Sequence, residues 1–314
     1  MSEYWGRLQA CSSIMEKNKA SCCEPGGCCN RLYWCLVYCW RCCRPRFDDL
    51  VDLLMKATMK NDEQLLEYFL VRTMMEEEQS KGRIRKREVL NALGKNGMGA
   101  LHYCARNDSL TMLLRLMNTD GIDLNIPDGT GFTPLHITCK LGHAACTHML
   151  CNFGADVNVV DRKKNTPLIL AASAGFRECC KALINHGAKQ NVRNILGLTA
   201  LMAAIIHQQA STALLLIKLG ADLTVADAHG NTALNYAAEA NMVDVARFLL
   251  ENGASIRSYN KFNETPLLEA KRQQNEEMAM MLKAADDRQQ IKLKAARDIH
   301  VLSPADIETK SSLR

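Results

Sequence analysis

Aromatic residues are scarce in this sequence and unevenly placed. They make up 5% of the 314 residues, and all three tryptophans (Trp5, Trp34 and Trp40) lie within the first 40 positions. No apolar run approaches the roughly 20 residues that a membrane-spanning helix needs. The basic stretch, apolar run and small-residue cleavage site of a secretion signal are missing too. These absences favour a protein that stays in the reducing interior of the cell.

Motifs of catalytic chemistry are also missing. The sequence has no glycine-rich phosphate loop, no nucleophile elbow and no helical pair of metal-binding histidines. Its eight histidines are dispersed, and the net charge of +5 is too small to indicate nucleic acid as a main partner. We therefore expect no catalytic residues, no cofactor, no metal site, no small-molecule substrate and no nucleic-acid partner.

An internal repeat of 33 residues dominates the rest of the chain. A Thr-Pro-Leu or Thr-Ala-Leu motif recurs with its leucine at Leu135, Leu168, Leu201, Leu234 and Leu267. A second marker keeps step, with glycines at Gly121, Gly154, Gly187, Gly220 and Gly253. An earlier Leu-His pair at Leu101 precedes the first motif by 34 residues. Two markers in phase over five units indicate a stack of identical supersecondary units.

The motif residues have physical roles in such a unit. A threonine caps the first helix with its hydroxyl, and a proline in the first turn gives up an amide that has no partner there. The glycine after the second helix suits a left-handed helix stop. Motif and period together resemble the ankyrin repeat over about residues 97–283. The resemblance implies an all-α solenoid of helix–turn–helix units with short hairpin turns, which binds other proteins on its concave face.

Four segments follow from this pattern. Residues 1–47 form a basic segment rich in cysteine and aromatic residues, and 48–96 resemble a degenerate capping repeat with a charged insertion. The repeats occupy 97–283, where Glu269, Lys271 and Arg272 indicate a polar cap on the last unit. A C-terminal helix and a disordered tail are expected in 284–314. The basic run Lys81–Arg87 in the insertion is compatible with a nuclear import signal, an anionic-lipid patch or a solvated loop.

The family resemblance places the partner-binding residues at the turn tips and on the exposed side of the first helices. Apolar residues at tips are informative, because burial there has no purpose within the stack and exposed patches usually mark binding. Scattered surface hydrophobic residues are the ordinary alternative. The unit around Leu201, the fourth when counted from Leu101, is the best candidate for the centre of the binding site, because Ile195, Leu196, Leu198 and Ile206 all belong to it. The predicted binding residues are Phe132, Leu141, Arg162, Lys163, Ile195, Leu196, Leu198, Ile206, His229, Tyr259 and Phe262.

Three further residue types receive an interpretation from the resemblance. His102 and His136 occupy the histidine position of the repeat motif, where the ring stabilises the turn, and Cys104 and Cys139 take positions of small core residues. Asn158 lies in a pattern that resembles the target of the asparaginyl hydroxylase acting on ankyrin repeats. An unmodified asparagine bonded within the turn is the alternative.

The N-terminal segment carries nine of the fifteen cysteines, interleaved with aromatic residues and arginines. Tryptophan and tyrosine prefer the membrane interface, arginine favours anionic headgroups, and several acyl chains anchor a protein stably. This composition predicts S-acylation at Cys22, Cys23, Cys28, Cys29, Cys35, Cys39, Cys42 and Cys43. A zinc-binding module and a free-thiol tail remain alternatives.

These patterns predict a cytoplasmic, non-enzymatic adaptor that is held at a membrane surface by its N-terminal segment and presents an ankyrin surface to a protein partner. The alternative is an ankyrin-repeat regulator with a cysteine-rich zinc module, possible in the nucleus if the basic run acts as an import signal. Nothing in the sequence identifies the partner, because a fold does not determine what it binds.

Overall fold

The computed structural model describes residues 47–79, 86–94 and 96–301, with backbone alone at 72, 74–79, 292–293 and 295–301. Every regular element among these residues is a helix, apart from one isolated antiparallel bridge between Ala226 and Thr232. The predicted all-α class is therefore confirmed. The predicted acylation cysteines and the predicted disordered tail from residue 302 lie outside the described residues.

Helices follow one another in antiparallel pairs, as the repeat predicts. The first helices of six successive units are α4 (Ala100–Arg106), α6 (Pro134–Leu141), α8 (Pro167–Ala174), α10 (Ala200–Ile206), α12 (Ala233–Glu239) and α14 (Pro266–Arg272). The second helices are α5 (Leu110–Met117), α7 (Ala144–Asn152), α9 (Arg177–Asn185), α11 (Ala210–Lys218), α13 (Val243–Glu251) and α15 (Glu276–Val301). The preceding helices are α1 (Phe47–Lys60), α2 (Glu63–Gln79) and α3 (Lys86–Leu90).

A threonine occupies the N-cap of each first helix from α6 to α14, whereas Gly99 precedes α4. The Thr166 hydroxyl accepts the backbone N–H of Ile169 at 3.3 Å, and Thr199 accepts that of Met202 at 3.4 Å. Proline follows in the first turn of α6, α8 and α14. Because these caps satisfy amides that the helix leaves without partners, the predicted helix starts are confirmed.

Each second helix from α7 to α13 ends at the predicted glycine. The φ angles at Gly154, Gly187, Gly220 and Gly253 lie between 85° and 92°. This left-handed conformation costs an L-residue energy that glycine does not incur, so the helix stops at a defined residue.

The core of the stack consists of the periodic leucines and of small residues between helices. Leu135, Leu168, Leu201 and Leu234 are each at most 2% exposed. Alanine pairs such as Ala203 and Ala204 are also buried, which lets neighbouring helices approach closely. No unit could bury this apolar area by itself, so the stacking supplies the stability.

The sixth unit only partly follows the expected polar cap. Lys271 and Arg272 are exposed, but Glu269 is 6% exposed. Its carboxylate accepts hydrogen bonds from Arg272 Nη2 at 2.6 Å and from Gln273 Nε2 at 3.0 Å. The buried charge is tolerated because it is paired and hydrogen-bonded.

Helices α1 and α2 pack against the first repeat unit. Asn107 Nδ2 donates to the Thr58 carbonyl at 3.1 Å, and Arg115 forms an ion pair with Glu67 at 2.9 Å. The acidic run 76–78 belongs to α2. No helix among the described residues has both the length and the apolarity needed to cross a membrane.

Candidate protein-binding surface

Five hairpin tips are held by one polar side chain each. The Oδ1 atom of that residue accepts two backbone N–H groups of its own turn: in Asp161 from Lys163 and Asn165, both at 2.7 Å, and in Asn194 from Leu196 at 2.9 Å and Leu198 at 3.0 Å. The same pair of bonds recurs at Asp128, Asp227 and Asn260. The tips are therefore rigid turns that present their outward side chains in fixed positions.

Consecutive tips are also joined to each other through the backbone. The Ile195 N–H donates to the Lys163 carbonyl at 3.1 Å, and the Lys261 N–H donates to the His229 carbonyl at 2.8 Å. We call the surface made by the tips and the exposed side of the first helices the tip face. Its backbone is bonded within and between units, so the face is ordered without any ligand.

The fourth unit gives the tip face its apolar centre. Ile195 is 59% exposed and Leu196 is 64% exposed at the tip, and Ile206 is 38% exposed at the end of α10. Leu198 differs from the other three because it is half-buried and packs against the core. The structure thus brings three of the four predicted residues of this unit to the surface and gives Leu198 a structural contact.

The two neighbouring tips differ in character. Arg162 and Lys163, in the preceding tip, are exposed and form no ion pair within the part of the chain that the structure describes. On the other side, the rings of His229 and Phe262 stack with centroids 6.2 Å apart. Phe262 is 68% exposed. The tip face therefore changes from basic to apolar to aromatic over four units.

The remaining predicted residues lie at the edges of this surface. Phe132 is half-buried, stacked on His136 at 5.8 Å and covered by Lys140 Nζ at 5.1 Å from the ring centroid. Leu141, at the end of α6, and Tyr259, before the last tip, are exposed. Phe132 thus has existing contacts on its ring, whereas Leu141 and Tyr259 are accessible.

The two motif histidines are structural, as predicted. His136 Nδ1 accepts the Thr133 N–H at 3.2 Å and Nε2 donates to the Asn165 carbonyl at 3.1 Å, so the ring links one unit to the next. His102 makes the equivalent bonds to Gly99 and Phe132. Burial lowers the pKa of both imidazoles, because desolvation disfavours the charged ring.

The cysteines of the described residues are core residues, as predicted for Cys104 and Cys139. All six are buried and none forms a disulfide: Cys104, Cys139, Cys146, Cys151, Cys179 and Cys180. Burial raises the pKa of Cys104 and Cys180 to about 12. Thiols in this environment are unreactive, and no group of cysteine, histidine or acidic residues among the described residues is placed to hold a metal ion.

Asn158 belongs to a ladder of asparagines that the sequence analysis did not detect. Its Oδ1 accepts the Lys189 N–H of the next unit at 2.9 Å, and its Nδ2 donates to the Gly187 carbonyl at 3.4 Å. The Oδ1 atoms of Asn91, Asn125 and Asn191 accept a backbone N–H of the following unit in the same way. The signal in the sequence was an asparagine recurring every 33 or 34 residues.

A polar cleft between the fifth and sixth units was also not predicted. It has a volume of about 280 Å³ and lies between α12, α14 and the tip at Phe262. Its lining residues are Asn231, Asn235, Glu239, Asn260, Phe262, Glu264, Glu269 and Arg272. The cleft is part of the tip face.

Comparison with known proteins identifies the family. A family model described as ankyrin repeats (3 copies) matches overlapping stretches at 54–161, 101–194, 152–227, 192–260 and 224–295. The chain belongs to the ankyrin repeat family. An ankyrin repeat domain from Acinetobacter baumannii AYE is similar in structure, with a TM-score of 0.56 and 28% identity over 59% of this chain and 97% of that domain. The ankyrin solenoid expected from the motif is thereby confirmed.

Three curated proteins match this chain over a short stretch. SMC5-SMC6 complex localization factor protein 1 is 40% identical over 50 residues in Homo sapiens and in Bos taurus, and 38% identical in Mus musculus. These residues are 16% of this chain and 5% of those proteins. The chain therefore spans a small part of the length of these relatives.

Proposed function

We propose that this ankyrin protein is a non-enzymatic adaptor that binds a partner protein through the tip face. The observation that supports it most is the pair Ile195 and Leu196, exposed by 59% and 64% on a turn whose backbone N–H groups are all hydrogen-bonded. Ankyrin repeats are protein-binding modules in general, and the family membership supports this class of function. The partner would cover the apolar centre and contact the basic tip beside it.

The energetic argument favours these two side chains as anchors. Fully burying an isoleucine or leucine stabilises a complex by about 1.5–3 kcal/mol. Because the turn is already ordered, little conformational entropy is lost when the partner binds. A few such anchors normally dominate the binding energy of an interface.

A double substitution tests this surface. Ile195→Ser with Leu196→Ser should weaken partner capture by about tenfold or more while the unfolding free energy changes little. The matched control is Phe153→Ser with Leu219→Ser, which removes two exposed apolar side chains at the ends of second helices. Quantitative affinity purification with all three proteins is the measurement. Equal capture by the tip variant and the wild type would place the binding site elsewhere.

We further propose that the N-terminal segment attaches the protein to the cytoplasmic side of a membrane by S-acylation. The support comes from its sequence: eight cysteines between Cys22 and Cys43 stand among aromatic residues and arginines, with no acidic residue between 25 and 47. Two or more acyl chains give stable attachment, whereas arginine attraction to anionic lipid is screened by salt.

Fractionation of cell extracts separates the alternatives for this segment. We expect the protein in the membrane fraction at high salt, with release by hydroxylamine, which cleaves thioesters. Changing Cys35, Cys39, Cys42 and Cys43 to serine should move it to the soluble fraction if these sites carry the chains. Stoichiometric zinc in purified protein, with no acylation, would support the metal-module alternative and a regulator outside membranes.

A further inference from the structure

The cleft between the fifth and sixth units contains a donor without an acceptor. Asn235 is 3% exposed, and its Oδ1 accepts the Thr232 N–H at 3.1 Å and the Thr232 hydroxyl at 2.8 Å. A backbone N–H can only donate, so this bond fixes which end of the amide faces Thr232. Nδ2 then has no partner among the described residues. A buried donor left unpaired is costly, so a ligand that brings an acceptor to Nδ2 would be stabilised there.

The donor has no partner because Asn235 is shorter than the histidine that stands at this position in two earlier units. In two earlier units the ring of His102 or His136 crosses to the next turn and donates to its carbonyl, at 2.9 Å and 3.1 Å. Asn235 stands at the same place in the repeat but is shorter. It makes no bond to the carbonyl of Glu264, the corresponding residue of the next turn. The space that a histidine would occupy therefore stays open.

Carboxylates outnumber cationic groups in this cleft. Glu239, Glu264 and Glu269 line it, with one arginine, Arg272. Arg272 donates to Glu269 at 2.6 Å and lies 3.9 Å from Glu264. Glu239 forms no hydrogen bond or ion pair with the described residues. Burial and the neighbouring Glu269 carboxylate raise the pKa of Glu239, and the attraction of Arg272 offsets this only partly.

The chemistry of the missing cation follows from the lining. The described carboxylates are not arranged to hold a metal ion. An ammonium or guanidinium group, in contrast, carries several donors on a long apolar stem and suits a cleft with carboxylates, amide oxygens and one aromatic ring. The ring of Phe262 at the rim offers a face for a cation. With about 280 Å³, where a water molecule occupies about 30 Å³, the cleft has room for one long side chain.

We propose that this cleft binds an arginine or lysine side chain of an extended peptide segment of the partner, with the cation at Glu239 and a peptide carbonyl at Asn235 Nδ2. The inference rests on the proposed protein-binding function of the tip face and specifies one part of the partner. Its two features, an excess of carboxylates over cations and an unpaired donor, match the side chain and the main chain of a basic residue.

The probe is a blocked pentapeptide with a central arginine between glycines, compared with the same peptide containing citrulline. Citrulline keeps the shape of the arginine side chain and lacks its charge. Added to the full-length protein, the arginine peptide should shift the NMR signals of the Asn235 side-chain amide and of the residues lining the cleft. The citrulline peptide at the same concentration should leave them unchanged. Equal shifts with both peptides, or none at the cleft, would overturn the proposal.

Two variants and one control sharpen the test. Glu239→Gln should weaken binding of the arginine peptide by about tenfold or more, because a charge-assisted hydrogen bond is lost. Glu251→Gln makes the same change on an exposed residue of α13 outside the cleft and should have no effect. Asn235→His should close the cleft and abolish binding, and denaturant unfolding shows whether this variant still folds. If it does not fold, the result with Glu239→Gln decides.

The outcomes distinguish this inference from the proposed function. If the peptide binds in the cleft and the Ile195 and Leu196 variant captures the partner normally, the apolar centre is not the binding site, whereas the cleft proposal stands. If that variant loses partner capture and no peptide binds in the cleft, the cleft proposal is wrong, whereas the proposed adaptor function stands.

Discussion

Leu201 lies in the middle of the stack, where its side chain is 2% exposed between the fourth unit and its neighbours. Truncating it leaves a cavity that the closely packed helices fill only partly, so Leu201→Ala should lower the free energy of unfolding by about 2–5 kcal/mol. Urea unfolding measures the change. Leu196→Ala, at a 64% exposed tip position, is the control and should stay within about 0.5 kcal/mol of the wild type. A similar small change for Leu201→Ala would contradict its place in the core.

A second prediction for a single residue is that Asn158 is hydroxylated although its side chain is bonded to the next unit. Its side chain is held by bonds to Gly187 and Lys189, so an enzyme acting on it has to open this part of the ladder. We predict one added oxygen atom on Asn158 in protein from cells grown with ample oxygen, and a greater modified fraction in Leu201→Ala. Peptide mass spectrometry reads both fractions. Unmodified Asn158 in both proteins would contradict the prediction.

At the scale of the element, the polar residue of each tip closes the hairpin. Asp161→Ala removes the acceptor of the Lys163 and Asn165 N–H groups and should cost about 1–3 kcal/mol in unfolding free energy. Asp161→Asn should cost less, because Asn194 and Asn260 make the same two bonds in their own tips and only the bond from Asn165 Nδ2 to Asp161 Oδ2, at 2.9 Å, is lost. Thermal or urea unfolding of the two variants decides. Equal losses would show that the charge, rather than the bonding pattern, stabilises the turn.

Elements of this fold were predictable where the signal is local. The threonine cap, the proline in the first turn and the left-handed glycine act within a few residues, so the helix starts and stops follow from the sequence. Bonds between units were less visible. The contact of Asn158 with Lys189 spans 31 residues, and a single asparagine in a turn is explained equally well by local bonding.

For the whole molecule, the candidate surface shows where sequence reasoning stops. The register placed Ile195 and Leu196 at a tip, and both are exposed there. Leu198, three residues after Ile195, packs against the core, because the turn bonded to Asn194 directs its side chain inward. The cleft and its unpaired Asn235 donor involve residues of two units, so finding them needs the neighbouring unit in three dimensions.

The stability of the whole stack should depend on pH, because His102 and His136 each connect two successive turns through their rings. Nδ1 of His102 and of His136 accepts a backbone N–H, and protonation of Nδ1 would break that bond. Burial lowers the pKa of both rings in the folded state below the ordinary value of 6.5. Just below pH 6.5 the unfolded chain therefore binds more protons than the folded chain. The stability that the neutral rings contribute is present above this pH and is lost as the pH falls below it.

We therefore expect the unfolding free energy to fall between about pH 7.5 and about pH 5.5, and the fall to depend on these two rings. The comparison protein carries His102→Asn and His136→Asn. Asparagine can keep the capping bond, as Asn235 does with Thr232, but does not titrate in this range. Urea unfolding of both proteins at the two pH values isolates the contribution, because every other titratable group is common to them. The double variant should start less stable and lose less on acidification. Parallel pH profiles would show that protonation of other groups controls the stability of the stack.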